Sequence, residues 1–142
     1  MFHVKQSKRR NKFSAKPQVI DGIKFASMGE ANRYQVLKLM ERGKLITNLK
    51  PHPRFDLMVN GIKIGHFTGD SEYDENGRHI IEDFKGPTKT AAYGLRIRLF
   101  QVLYPDLVLR ENSAALGSVD VKPPKNPNST RRSKSHTDVT AS

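Results

Sequence analysis

Cysteine and tryptophan are both absent. The chain therefore has no disulfide framework, no thiolate metal site and no cysteine nucleophile. Long apolar runs are also missing, so no segment is expected to span a membrane as a helix. No apolar stretch follows the basic N-terminus, which argues against a secretory signal. The expectation is a cytoplasmic protein without a membrane partner. Aromatics are sparse at 8% and hydrophobics reach only 36% of 142 residues, enough for one modest core rather than two.

What the chain has in excess is positive charge. It holds 25 Lys and Arg against 14 Asp and Glu, a net charge of +11. Residues 1–16 carry six cations, among them Lys8, Arg9 and Arg10, and no acid. Such an arm binds a polyanion by releasing condensed counterions, without reading sequence. A solubilising tail or an anionic surface would suit the charge as well, but nucleic acid is the leading reading. Residues 1–16 and 111–142 are poor in branched apolar residues, and the second stretch carries Pro123, Pro124 and Pro127. Both are expected to be disordered, leaving 17–110 as the folded domain.

Within that domain, Asp21-Gly22 suggests a short hairpin over 19–25. Ser27 with Glu30 forms a capping-box pattern and opens a helix that runs to about Arg42, stopped by Gly43. Residues 45–59 look extended, broken by Pro51 and Pro53, and 62–73 and 78–85 look like two strands. A second helix spans about Thr88 to Tyr104 with a wide apolar stripe, and Leu107-Val108-Leu109 reads as a last buried strand. This order predicts a mixed α/β layer around a short central sheet.

The acids are concentrated around one turn. Asp70, Glu72, Asp74 and Glu75 precede Asn76-Gly77, and Glu82 and Asp83 follow it. Asn-Gly between two strand-like runs signals a two-residue type I′ turn. That turn sets Glu75 against Arg78, Asp70 against Asp83 and Thr68 against Lys85. Alternation puts Phe67, Tyr73, Ile80 and Phe84 on a core face. His66, Thr68, Asp70 and Glu72 then share a polar face with His79, Ile81, Asp83 and Lys85. Two ionised carboxylates about 5 Å apart repel by roughly 3 kcal/mol at an effective dielectric of about 20. A divalent cation between them would relieve this, and oxygen-only ligands point to Mg²⁺ or Mn²⁺. Two readings remain open here: a metal site, or a solvated polar face with its acids in a shifted register.

Asp70 followed by Asp83-Phe84-Lys85 at the end of the next strand resembles the PD-(D/E)XK nuclease motif. Glu30 matches the acid expected on the first helix. The stretches Ile23-Lys24-Phe25-Ala26-Ser27 with Glu30-Ala31, and Glu82-Asp83-Phe84-Lys85-Gly86, resemble small phage-encoded nuclease domains. In layout they are similar to phage Holliday-junction endonucleases. The resemblance covers about 19–110 and departs from the pattern at Gly69, in place of a proline that such families often lack, and at Ser71, where an aromatic is usual. It implies a restriction-endonuclease-like central sheet flanked by helices. It further implies Mg²⁺-dependent hydrolysis of DNA, branched DNA included, in phage replication, recombination or packaging, within a host cell. Asp70, Asp83, the Phe84 carbonyl and Glu30 would hold metal, and Lys85 would orient water or stabilise charge. Junction enzymes of this fold are commonly homodimers.

Lys89, Tyr93 and Arg96 recur at helical spacing just beyond Lys85, a basic line with an aromatic in it that suits a phosphate backbone. The alternative has Tyr93 in the core and the cations in solvent. Glu30 likewise has two candidate roles, since a capping carboxylate turned to the Ser27 N–H does not also bind metal. For the whole chain the competing reading is a basic DNA- or RNA-binding protein without catalysis, or an adaptor whose arms bind a nucleoprotein.

Overall fold

The computed structural model describes residues 16–85, 90–114 and 116–128. Lys8, Arg9, Arg10 and Lys89 lie outside them. The chain opens with the expected hairpin, β1 (Gln18–Ile20) and β2 (Ile23–Phe25). Its turn residues Asp21 and Gly22 have φ of 51° and 76°, the left-handed pair a type I′ turn requires. Helix α1 (Met28–Arg42) follows, with Ser27 as its N-cap. Gly43 ends the helix at an ordinary φ of −78°, and the left-handed residue is the next one, Lys44 at 61°.

The remaining strands are β3 (Thr47–Pro51), β4 (Arg54–Val59), β5 (Ile62–Thr68), β6 (Ser71–Glu75), β7 (Arg78–Phe84), β8 (Leu107–Ser113) and β9 (Gly117–Asp120). Five of them form one mixed sheet in the order β3-β6-β7-β8-β9, while β4 and β5 pair only with each other. Helix α2 (Ala91–Leu103) is the crossover that lets β8 run parallel to β7. The architecture is mixed α/β, as the element order predicts.

Three expectations need correction. The single strand expected over 62–73 is broken at Gly69-Asp70, and its halves serve different sheets. The break is tied down on both sides. Gly69 N–H donates to the Pro53 carbonyl and His52 N–H to the Asp70 carbonyl, both at 2.9 Å. A Cβ at Gly69 would stand 2.9 Å from Ile81 Cγ2, so no larger residue fits the kink without displacement. Thr68 consequently pairs with Arg54 rather than facing Lys85.

Secondly, the sheet has no polar face at its centre. Tyr73 and Ile80 pack with Leu37 of α1 and Ile46 on one side. Ile81, assigned above to the polar face, packs with Leu109, Phe100 of α2 and Phe67 and Leu57 of the β4–β5 hairpin on the other. Both faces are covered, and alternation alone cannot foresee a second layer. The wide stripe of α2 splits for the same reason: Ile97 and Phe100 are buried, while Leu95 and Val102 are exposed.

Thirdly, the folded unit does not stop at 110. Strand β8 continues to Ser113, and β9 pairs antiparallel to it, so residues 111–113 and 117–120 extend the sheet. Among the described residues no helix is long and apolar enough to cross a membrane.

Candidate functional site

The N-terminus of α1 rests on the end of β7. The ring of Phe84 lies against Gly29, where a Cβ would meet it at 2.5 Å. Only glycine allows this approach, and it carries the next residue, Glu30, to the acids of the sheet. Glu30 completes the capping box: its N–H donates to Ser27 Oγ, and its Oε2 accepts the Ala26 N–H, both at 3.2 Å. The backbone partner is Ala26, one residue before the Ser27 expected. Burial raises the Glu30 carboxyl above its ordinary value, and the Asp83 charge adds to this against the lowering effect of the Ala26 bond.

The register of β6 against β7 is the one the Asn76-Gly77 turn predicts, with Ser71 opposite Glu82 and Glu75 opposite Arg78. Asp70 sits just outside that ladder, in the kink. Its N–H donates to the Glu82 carbonyl at 2.9 Å, and its Oδ2 accepts the Phe84 N–H at 2.5 Å. The charge of Asp83 acts on the carboxyl. Burial, then the charges of Asp83 and Glu30, push it up to about 8. These surroundings favour the protonated form of Asp70.

Asp83 is 7% exposed and points toward α2. Its Oδ2 accepts from Lys85 Nζ at 2.6 Å and from the Tyr93 hydroxyl at 2.8 Å. The Lys85 ammonium also stands over the Tyr93 ring, 3.2 Å from its centroid, a cation–π seat. The Tyr93 hydroxyl has a second contact, 3.3 Å from Glu111 Oε1. Burial and the two neighbouring carboxylates keep that phenol protonated. Tyr93 is therefore neither a pure core residue nor a free phosphate contact: it joins helix, lysine and acid.

Beside this group opens a pocket of about 200 Å³ lined by His66, Thr68, Asp83, Lys85, Tyr93 and Arg96. The structure thus gathers Glu30, Asp70, Asp83, Lys85, Tyr93 and Arg96 at one end of β7. His79 is not among them. It is bracketed by Asp74 at 2.6 Å and Glu72 at 2.9 Å nearer the Asn76-Gly77 turn.

Two features escaped the sequence reading. Glu111 aligns with Asp83 across the parallel β7–β8 pair and shares Tyr93 with it. It lay one residue past the domain boundary expected at 110, and nothing local signals a parallel register. The second is an ion pair on the opposite face. Buried Glu82 receives Arg33 of α1 through Nε at 2.5 Å and Nη2 at 3.0 Å, plus the Tyr73 hydroxyl at 2.5 Å. An arginine a few residues after a cap serine was visible; its partner 49 residues on was not.

Among the described residues, no three His, Asp or Glu side chains converge closely enough to hold a metal ion as they stand. The donors at the end of β7 are nevertheless all oxygens, the set that hard divalent cations take.

A mixed α/β chain with this acid group matches one family model. Residues 10–117 match the family described as "Protein of unknown function (DUF1064)", and the chain belongs to that family. No curated protein matches it. Its backbone is similar to a solved structure titled "Crystal structure of SSO0001", at 12% identity and a TM-score of 0.41. The match covers 76% of this chain and 56% of that one, so this chain spans little more than half of that protein.

Proposed function

We propose that the protein is a metal-dependent DNA endonuclease with a restriction-endonuclease-like core, hydrolysing phosphodiester bonds at the end of β7. The observation that carries the reading is the gathering of Asp70, Asp83 and Lys85 at the end of β7: Asp70 Oδ2 accepts the Phe84 N–H, and Asp83 Oδ2 holds Lys85 Nζ at 2.6 Å beside the pocket. A perturbed acid beside a cleft is a candidate functional group. Asp70 and Asp83 would hold Mg²⁺ or Mn²⁺, and Glu30 and the Phe84 carbonyl would add ligands. Such an ion lowers the pKa of a bound water and acts as a Lewis acid toward a phosphate.

The protein's own groups divide the remaining work. Lys85, held between Asp83 and the Tyr93 ring, supplies positive charge where a pentavalent phosphate gathers negative charge. Arg96 and His66 line the pocket and suit the flanking phosphates. The Tyr93 hydroxyl keeps Asp83 oriented.

A second reading, a basic DNA- or RNA-binding protein without catalysis, draws support from the partners already made. Asp83 Oδ2 is bonded to Lys85 and Tyr93, and Glu30 to a backbone N–H. The deciding experiment is a cleavage assay over branched, duplex and single-stranded DNA with Mg²⁺ or Mn²⁺. Wild type cuts at least one substrate, EDTA stops it, and Asp83→Asn and Lys85→Ala lower the rate by about a hundredfold or more. DNA binding with no cut strand under any metal leaves the second reading standing.

A further inference from the structure

The β4–β5 hairpin pairs with no strand of the central sheet, and its tip is apolar away from the core. Its base is anchored on α2: Phe55, Leu57 and Phe67 pack around Phe100, and the Tyr104 hydroxyl donates to the Asp56 carbonyl at 2.8 Å. Among the described residues, no core cluster reaches its far end. Around the Asn60-Gly61 turn, Ile62 is 65% and Ile64 63% exposed, and Met58 and Val59 are exposed beside them. A two-stranded ribbon with bare isoleucines at its turn gains no stability from them.

The same strand leads to the pocket. From Ile62, β5 runs about 20 Å to Thr68 at roughly 3.3 Å per residue, and its last residues, His66 to Thr68, line the pocket with Lys85 and Arg96. Along this track Arg54 and Lys63 outnumber the one acid, Asp56, which contacts both. The order of chemistries is cationic and hydrogen-bonding at the pocket, basic along the ribbon, and apolar at the tip. A nucleic-acid strand presents the complement, a phosphate backbone bearing flat apolar bases.

We infer that the β4–β5 hairpin is the arm that grips nucleic acid leading into the pocket, its Ile62–Ile64 tip wedging against bases. The inference deepens the nuclease reading and rests on its nucleic-acid half alone. Apolar wedges of Ile, Met and Leu open base steps in this way, and the cost is least where bases are already unpaired. The preferred ligand is therefore a fork or branch rather than continuous duplex. A second copy of this chain is the rival occupant. It is disfavoured because a pointed turn with a few apolar side chains offers little of the about 800 Å² per partner that stable interfaces bury.

The test uses the full chain in EDTA, so that binding is read without hydrolysis. The probe is a labelled DNA fork carrying 2-aminopurine beside the branch. Wild type brightens the 2-aminopurine and binds the fork more tightly than duplex. The double variant Ile62→Ser/Ile64→Ser, at exposed positions, keeps the wild-type melting temperature. It binds the fork at least fivefold more weakly, loses the fluorescence rise, and keeps the slope of log K against log salt. Arg96→Ala lowers that slope by about one and keeps the fluorescence rise. Unchanged fork affinity and fluorescence in the double variant would overturn the inference. So would sedimentation showing a wild-type dimer that the variant splits. If these binding effects hold but wild type cuts no DNA with Mg²⁺, the hydrolysis reading falls and this one stands.

Discussion

At the level of single residues, Glu30 is the most informative. Its carboxylate already caps α1 through the Ala26 N–H, yet it lies close enough to raise Asp70. Glutamine serves the same capping position. Glu30→Gln is therefore expected to change unfolding free energy by less than about 0.5 kcal/mol while lowering Mg²⁺-dependent cleavage at least tenfold, checked by denaturant melts beside the DNA assay. An unchanged rate would make Glu30 a cap only. His79 offers an independent residue-scale test. Burial would lower its pKa, but the bonds to Asp74 and Glu72 outweigh this and hold it above the ordinary 6.5. With the folded value above the unfolded one, its contribution is complete below pH 6.5 and is lost as pH climbs through the folded value. Thermal melts should show wild type more stable than His79→Gln at pH 6, with the gap closing by pH 9.

At the level of elements, the site depends on how α1 docks. Gly29 lets Phe84 close against the helix, and the Arg33–Glu82 bonds lock the helix to β7 one turn later. Glu82 is 2% exposed, so removing its cation strands a buried charge. Arg33→Met is expected to destabilise the fold by about 3–5 kcal/mol. The double variant Arg33→Met/Glu82→Met should recover most of this, measured by urea unfolding. What was legible in the sequence follows the same division. The Asp21-Gly22 and Asn76-Gly77 turns, the Ser27 cap and the β6–β7 register were readable because each is fixed by residues a few positions apart. The break at Gly69, the second layer over Ile81, and the Asp83–Glu111 alignment were not. Each depends on a partner brought in by the fold: Pro53, the β4–β5 hairpin and the parallel return through α2. Asp70 and Asp83 stand at the same end of β7, but Asp70 sits in a kink outside the regular strand pairing.

For the whole molecule, charge is the governing property. The net +11 is concentrated ahead of residue 17, whereas 17–110 carries only +3. Affinity for DNA and specificity for its structure should therefore separate. Deleting residues 1–16 is expected to weaken binding to all DNAs alike. The slope of log K against log salt should fall by about 0.9 for each phosphate the arm no longer neutralises, read from a salt titration. If the β4–β5 hairpin grips the fork as inferred above, discrimination between fork and duplex should survive the deletion. An unchanged salt slope would remove the arm from the binding surface.

Asp70 belongs to neither sheet: its backbone is hung between His52 on one side and Glu82 on the other. Neither the ribbon nor the five-stranded layer can position it alone. A nascent or half-unfolded copy would hold Asp83 and Lys85 on β7 without the acid that completes the pair. On the nuclease reading, such a copy could not nick the genome of the cell that makes it, so the hinge doubles as a safety catch that releases only once folding is finished.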